Sequence, residues 1–146
     1  MTTASFSSLS LIPALLQSVE SLSYTHMTAI QQQSLPAMLA GKDVLAKAKT
    51  GSGKTAAFSL ALLSKIDTLV YKPQALVLCP TRELAEQVSK EIRALARFMP
   101  NVKLLTLCGG SPIIHQINSL EQAPHIVVHT GWVLDILTAI PYMWII

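Results

Sequence analysis

Charge is scarce in this sequence: 13% of its 146 residues are Asp, Glu, Lys or Arg, about half the share usual in a globular domain. Apolar residues make up 51%, so there is ample material for a core, and a disordered chain is excluded. Basic residues are absent after Lys103. Eleven Lys and Arg stand against six acidic side chains up to that point, and only Glu121 and Asp135 follow. The formal charge of +3 is therefore carried entirely by the earlier part of the chain. Cysteine is nearly absent as well. Cys79 and Cys108 lack zinc-ligand spacing and each ends an apolar run, so they read as buried reduced thiols, and a cytoplasmic location is expected. No positive charge precedes the first apolar residues, which argues against a secretory signal. The apolar stretch from Ile126 to Ile146 is interrupted by His129, Asp135 and Pro141, so no membrane span is expected. The length matches one domain at most.

What is present has a clear rhythm. Leu11, Leu15, Leu16, Val19 and Leu22 recur at helical spacing, and a loop follows from Ser21 to Met27. Thr28 with Gln31 three residues on is a capping-box pattern for a second helix, and Gly41 supplies its stop. From Asp43 onward short apolar runs alternate with helices. The runs are Val44 to Ala46, Ala75 to Cys79, Val102 to Cys108 and Ile126 to Val128; the helices lie from Gly53 towards Leu69, from Arg82 to Phe98 and near Ile114 to Leu120. Apolar runs without polar alternation, separated by helices, are the pattern of βαβ units with buried parallel strands. The fold class is α/β, with three expected regions: an N-terminal helical region over 1–41, an α/β region over 42–130, and a divergent apolar tail over 131–146.

Ala48-Lys49-Thr50-Gly51-Ser52-Gly53-Lys54-Thr55 follows one of these apolar runs and opens a helix, the context a Walker A phosphate loop requires. Glycines let successive N–H groups curve around an anion, and the helix start adds unpaired donors at the positive end of its dipole. In that reading Lys54 reaches the outer phosphates and the Thr55 hydroxyl sits on Mg²⁺. The bland alternative is a flexible turn.

Turnover needs more than the loop. A carboxylate at the end of an apolar strand must hold the metal's water shell, and another group must orient the attacking water. Asp43 precedes the loop, Asp67 falls on the following helix, and Asp135 stands several residues past the last strand. Glu83, Glu86 and Glu91 share one helix, where a solvated face explains them. No catalytic base is expected among these residues.

The phosphate loop, Pro80-Thr81-Arg82-Glu83-Leu84-Ala85 and Gly109-Gly110 together resemble the first motifs of DEAD-box RNA helicases, in order and in spacing. Gln31, with Phe6 upstream, is similar to that family's adenine-reading Q motif. The resemblance runs from about Phe6 to Val128 and implies a P-loop NTPase fold: a partial RecA-like domain with a parallel sheet flanked by helices. It implies ATP and Mg²⁺ as cofactors and RNA as partner, with no membrane and no identifiable protein partner. Gln31 would bond the adenine edge, with Tyr24 or Phe6 packing on the base. Pro80, Thr81 and Arg82, with Gly109 and Gly110, would meet the RNA backbone. Each role has a structural alternative: Gln31 and Thr81 as helix caps, the glycines as turns, the aromatics as core or surface residues.

The sequence also departs from the family. Ser23 and Met27 replace the usual glycine and proline of the Q motif, and Thr130-Gly131-Trp132 lacks the family's Thr-Pro-Gly-Arg. The Asp-Glu-Ala-Asp strand, the Ser-Ala-Thr segment and the second RecA-like domain are not among these residues. The expectation is a truncated first RecA-like domain that binds ATP or ADP without hydrolysing it or unwinding RNA alone. The alternatives are a non-enzymatic interaction fragment or degenerate product, and a small P-loop kinase.

Overall fold

The structure, a computed structural model, describes residues 4–110, 112–130 and 144–145. They fall into two compact units, one of residues 1–65 with 91–99 and one of residues 66–90 with 100–146.

The first unit is helical. A 3-10 turn over Phe6–Ser8 buries Phe6 and leads to α1, Pro13–Ser21, whose first residue is a proline that needs no N–H partner there. Leu15 and Val19 turn inward, and the buried Ser18 hydroxyl is satisfied by the Ala14 carbonyl at 3.0 Å. Helix α2, Ala29–Leu39, starts at Thr28, whose N–H is accepted by Gln31 Oε1 at 2.9 Å, as the capping box anticipates. Gly41 ends it in the left-handed conformation, φ 78°, with Lys42 N–H returning to the Ala37 carbonyl. Helix α3, Lys54–Leu63, packs against α2; between Ala56 and Leu63 only Phe58 is not fully buried, so α3 is a helix apolar on every side.

Two boundaries differ from the sequence reading. Helix α3 ends at Leu63 rather than running towards Leu69, because Asp67 and Gln74 close the following residues into a separate loop. Gln74 Oε1 accepts the Asp67 N–H, and Gln74 Nε2 donates to the carbonyls of Asp67 and Val70. The run Val44 to Ala46 is not a strand: no described strand pairs with it, and Leu45 is fully exposed. A β-prone run becomes a strand only where a neighbour offers a ladder, and among the described residues none pairs with this one.

The second unit carries the sheet. Its elements are β1 (Ala75–Cys79), α4 (Arg82–Leu95, whose last turn belongs to the first unit), β2 (Leu104–Leu107), α5 (Ile113–Glu121), β3 (Ile126–Thr130) and β4 (Trp144–Ile145). All pairings are parallel, in the order β2-β3-β1-β4, so helical crossovers are required, and α4 and α5 supply them. Strand β3 is central and buried throughout, which is why it reads as an unbroken apolar run. Leu76, Leu107 and Val127 form the core, with Leu105 and Leu120 against it. A bond of 2.7 Å between the Ser89 and Thr106 hydroxyls ties α4 to β2.

The amino ends of the three longer strands are joined at His125. Its N–H donates to the Lys103 carbonyl, its own carbonyl accepts from Gln74 and Ala75, and its Nδ1 accepts the Lys103 N–H at 3.0 Å. Strand β4 pairs only with Ala75 and Leu76, leaving the edge of Val77 to Cys79 without a neighbour on that side among the described residues; Leu78 is 46% exposed. Of the expected tail, 131–143 and 146 lie outside the described residues. No helix among the described residues is long and apolar enough to cross a membrane.

Candidate functional site

Within the first unit the phosphate loop is shaped by two glycines with positive φ, Gly51 at 77° and Gly53 at 88°. These left-handed conformations cost other residue types free energy, and they turn the chain back on itself before α3 begins. Lys54, the first residue of α3, folds its ammonium into the concavity so formed. It donates to the Ala48 carbonyl and to the Lys49 carbonyl at 2.7 Å, with Ser52 Oγ at 3.5 Å. The loop is therefore curved to hold a charged head, and the first N–H groups of α3 open beside it without intrahelical acceptors. Thr55 follows on the first turn, half-buried. Ala48, Lys49 and Thr50 form the loop's leading limb, with the Ser52 N–H returning to the Lys49 carbonyl at 3.3 Å.

The loop is gripped from α2. The Thr28 hydroxyl donates to the Ser52 carbonyl at 2.8 Å and Gln31 Nε2 to the Gly53 carbonyl at 3.1 Å. Gln31 is buried, so its bond to the loop is sheltered from water. A Cβ on Gly53 would lie 2.5 Å from Gln31 Nε2, so glycine is required there for space as well as for φ. The capping alternative for Gln31 is thus realised. One amide N–H and one carbonyl lone pair remain beyond these bonds.

Of the two aromatics, Phe6 is buried and Tyr24 half-buried, so only Tyr24 has surface to offer a planar ligand. Burial raises the Tyr24 phenol above its ordinary range, and the Glu91 carboxylate adds to the effect. Burial likewise raises the Glu91 carboxyl.

Within the second unit, Pro80, Thr81 and Arg82 follow the carboxyl end of β1, and Gly109 and Gly110 follow β2. Thr81 Oγ1 accepts the Leu84 N–H at 3.2 Å, so Thr81 caps α4. Gly110 has φ 86°, and a Cβ there would sit 3.8 Å from Arg82 Nη1. The fold thereby brings Arg82 and Gly110 together across 28 positions of sequence. Gly109 has open space around it. Arg82 Nε also pairs with Glu86 Oε1 at 3.4 Å. Beneath these turns lie the free thiols of Cys79 and Cys108. Burial, then each other's proximity, raises the Cys79 thiol. The Cys108 thiol is raised by burial and by Glu86 and Glu83, against the opposing pull of Arg82. High thiol pKa values keep both sulfurs protonated and unreactive.

Sequence reasoning missed two members. Thr28 was legible as a cap but not as a donor to the phosphate loop, and Glu86 read as a solvated helix face; its spacing of four from Arg82 was the available signal. Among the described residues no cluster of three His, Cys, Asp or Glu could hold a metal. A magnesium ion would meet the Thr55 hydroxyl and otherwise depend on phosphate oxygens and water, as Mg²⁺ commonly does.

The chain is similar to known proteins in sequence and in fold. The DEAD/DEAH box helicase family model matches residues 28–141. The ATP-dependent RNA helicase DbpA of Escherichia coli is 59% identical over 132 residues, covering 89% of this chain and 29% of that protein. The DEAD-box ATP-dependent RNA helicase CshA of Bacillus anthracis is 46% identical over 131 residues, 89% of this chain and 25% of that protein. The chain thus spans less than a third of these relatives' length. Among solved structures, a DEAD box protein from the hyperthermophile Methanococcus jannaschii superposes with a TM-score of 0.85 at 35% identity, covering 92% of this chain and 37% of that one. Dbp5 of S. cerevisiae bound to RNA and ADP BeF3 gives a TM-score of 0.80 at 30% identity, covering 92% of this chain and 34% of that one. The parallel sheet with flanking helices is accordingly RecA-like, as the resemblance implied. On this match across most of its length, the chain belongs to the DEAD/DEAH box helicase family.

Proposed function

We propose that these residues are the nucleotide-binding part of an ATP-dependent RNA helicase, a partial first RecA-like domain that takes ATP or ADP with Mg²⁺ and touches RNA backbone. The observation that carries the reading is the glycine-shaped loop closed around the Lys54 ammonium and gripped by Gln31 and Thr28. Phosphate is a better partner for Lys54 than two backbone carbonyls, because a charge-assisted bond to an anion exceeds one to a neutral acceptor. The N–H groups at the start of α3 add donors and a favourable dipole. Thr55 supplies the one protein hydroxyl for the metal, and Mg²⁺ would neutralise charge on the phosphates. Gln31 offers its remaining N–H and lone pair to an adenine edge, with Tyr24 as the stacking face and Phe6 supporting from the core.

RNA contact rests on Pro80, Thr81, Arg82, Gly109 and Gly110: a helix N-terminus, a guanidinium, and a turn whose glycines let backbone approach backbone. RNA association is also favoured by the basic balance up to Lys103. Hydrolysis is not proposed for this chain alone. Asp43 precedes the loop, and Asp67 spends its carboxylate on the Leu69 N–H at 2.9 Å. The two unpaired buried thiols suit a reducing, cytoplasmic setting.

Thermal unfolding followed by circular dichroism tests the reading. Millimolar Mg·ATP or Mg·ADP is expected to raise the midpoint, since a ligand that binds only the folded state stabilises it. Lys54→Ala should abolish the rise. A wild-type midpoint indifferent to nucleotide would sink the proposal.

A further inference from the structure

Arg82 occupies an awkward place for a cation. It is the first residue of α4, at the positive end of the helix dipole, where a guanidinium is repelled and left to itself swings into solvent. Its side chain is 56% exposed, yet its Nη1 stays beside Gly110, 3.8 Å from the position a Cβ would take there. Among the described residues it pairs with Glu86, through Nε at 3.4 Å, one helical turn on. This contact engages Nε, while Nη1 lies on the Gly110 side of the guanidinium. Glu86, Glu83 and Arg82 all act electrostatically on the Cys108 thiol, which places these charges together beside the end of β2.

We infer that Glu86 is a positioning residue: it holds the Arg82 guanidinium over Gly110 so that its two amino groups face a phosphate of a bound RNA strand. The inference rests on the proposed RNA contact and deepens it. It also reverses the ordinary electrostatic expectation. Deleting a carboxylate beside a polyanion normally strengthens binding, because repulsion is removed. If Glu86 positions Arg82, its deletion weakens binding instead.

The experiment uses the 146-residue chain, a single-stranded oligouridylate and a salt titration, with Glu86→Ala, Glu86→Gln, Arg82→Ala and the double variant. Glu86→Ala should weaken binding by about two- to fivefold, the size of an exposed ion pair. Glu86→Gln should restore most of it, since its amide carbonyl still accepts from Nε. In the Arg82→Ala background, Glu86→Ala should cause no further loss. An RNA-free arm follows the Arg82 Nε–H resonance by NMR, expected to be protected in wild type and Glu86→Gln and exchange-broadened in Glu86→Ala. An unchanged resonance in Glu86→Ala, or tighter RNA binding by that variant, overturns the positioning role while leaving RNA contact by Arg82 standing. Loss of the resonance with no effect of Arg82→Ala on RNA binding overturns the RNA reading itself.

Discussion

Gln31 Nε2 donates to the Gly53 carbonyl at 3.1 Å, while Gln31 Oε1 accepts the N–H of Thr28 at 2.9 Å. One amide therefore caps α2 and grips the turn that opens α3. Because the side chain is buried, the geometry of the phosphate loop depends on the position of a helix that ends at Leu39, ahead of the loop's first residue, Ala48.

The first prediction follows from that grip. Gly53→Ala places a Cβ 2.5 Å from Gln31 Nε2 at φ 88°. Strain of this kind is worth about 1–3 kcal/mol. Urea unfolding should show a loss of that size, and the nucleotide-dependent rise in melting midpoint should vanish. Adding Gln31→Ala should not restore the nucleotide response, because it removes the clash but also the bonds to the Thr28 N–H and the Gly53 carbonyl, and the unfavourable φ remains. Full recovery would mean the left-handed turn is not needed.

Lys54→Ala removes the ammonium from the loop's concavity. A hydrogen bond to a charged partner contributes about 1.5–3 kcal/mol, so affinity for Mg·ADP by isothermal titration should fall by about tenfold or more. Folding stability should change little, because the two carbonyls that lose their partner belong to half-buried Ala48 and exposed Lys49, where water can replace the ammonium.

Thr81→Ala tests the cap of α4. Loss of the Oγ1 acceptor for the Leu84 N–H should cost about 1 kcal/mol in urea unfolding. Thr81→Ser should retain most of that stability. An equal loss in both variants would show that the methyl group, not the hydroxyl, carries the effect.

Acid should destabilise the fold, beginning near the ordinary histidine range. The His125 pKa is lowered, chiefly by burial and then by the Lys103 cation, with the Thr68 backbone and Asp67 opposing; burial also lowers that of His129, with the Thr130 backbone opposing. His125 Nδ1 accepts a backbone N–H, so its proton sits on Nε2. A second proton would set donor against donor. The folded state therefore binds fewer protons than the unfolded chain. Stability is fully present above about pH 6.5, the unfolded value, and falls as pH drops through and below it. Glu91, whose pKa is raised, works in the opposite direction nearer the carboxylate range. Urea midpoints from pH 7.5 to 5 should decline in wild type and decline less steeply in His125→Asn, whose side chain does not titrate. Equal slopes would exclude His125 as a source.

Much of this molecule is legible in its amino-acid sequence, and the legible parts are local. Thr28 with Gln31 marks the start of α2, Gly41 its end, and apolar runs mark β1, β2 and β3 as parallel strands, though Thr106 interrupts β2, which is half-buried over Leu104 to Thr106. The phosphate loop is readable because glycine, lysine and threonine at that spacing act through their own backbone. Other features are not legible because they need partners distant in sequence. Val44 to Ala46 has the composition of a strand, yet among the described residues no strand pairs with it. Glu86 looks like any exposed helix carboxylate until Arg82 and Gly110 are brought together.

By itself, then, the order of residues determined where helices begin, which runs are buried, and where an anion can be cradled, since each follows from interactions within a few positions of chain. Only the tertiary structure decided that Gln31 holds the Gly53 carbonyl, that a guanidinium lies over Gly110, and that His125 joins the starts of three strands. Those relationships join residues 22 or more positions apart, and no local propensity encodes which distant groups will meet.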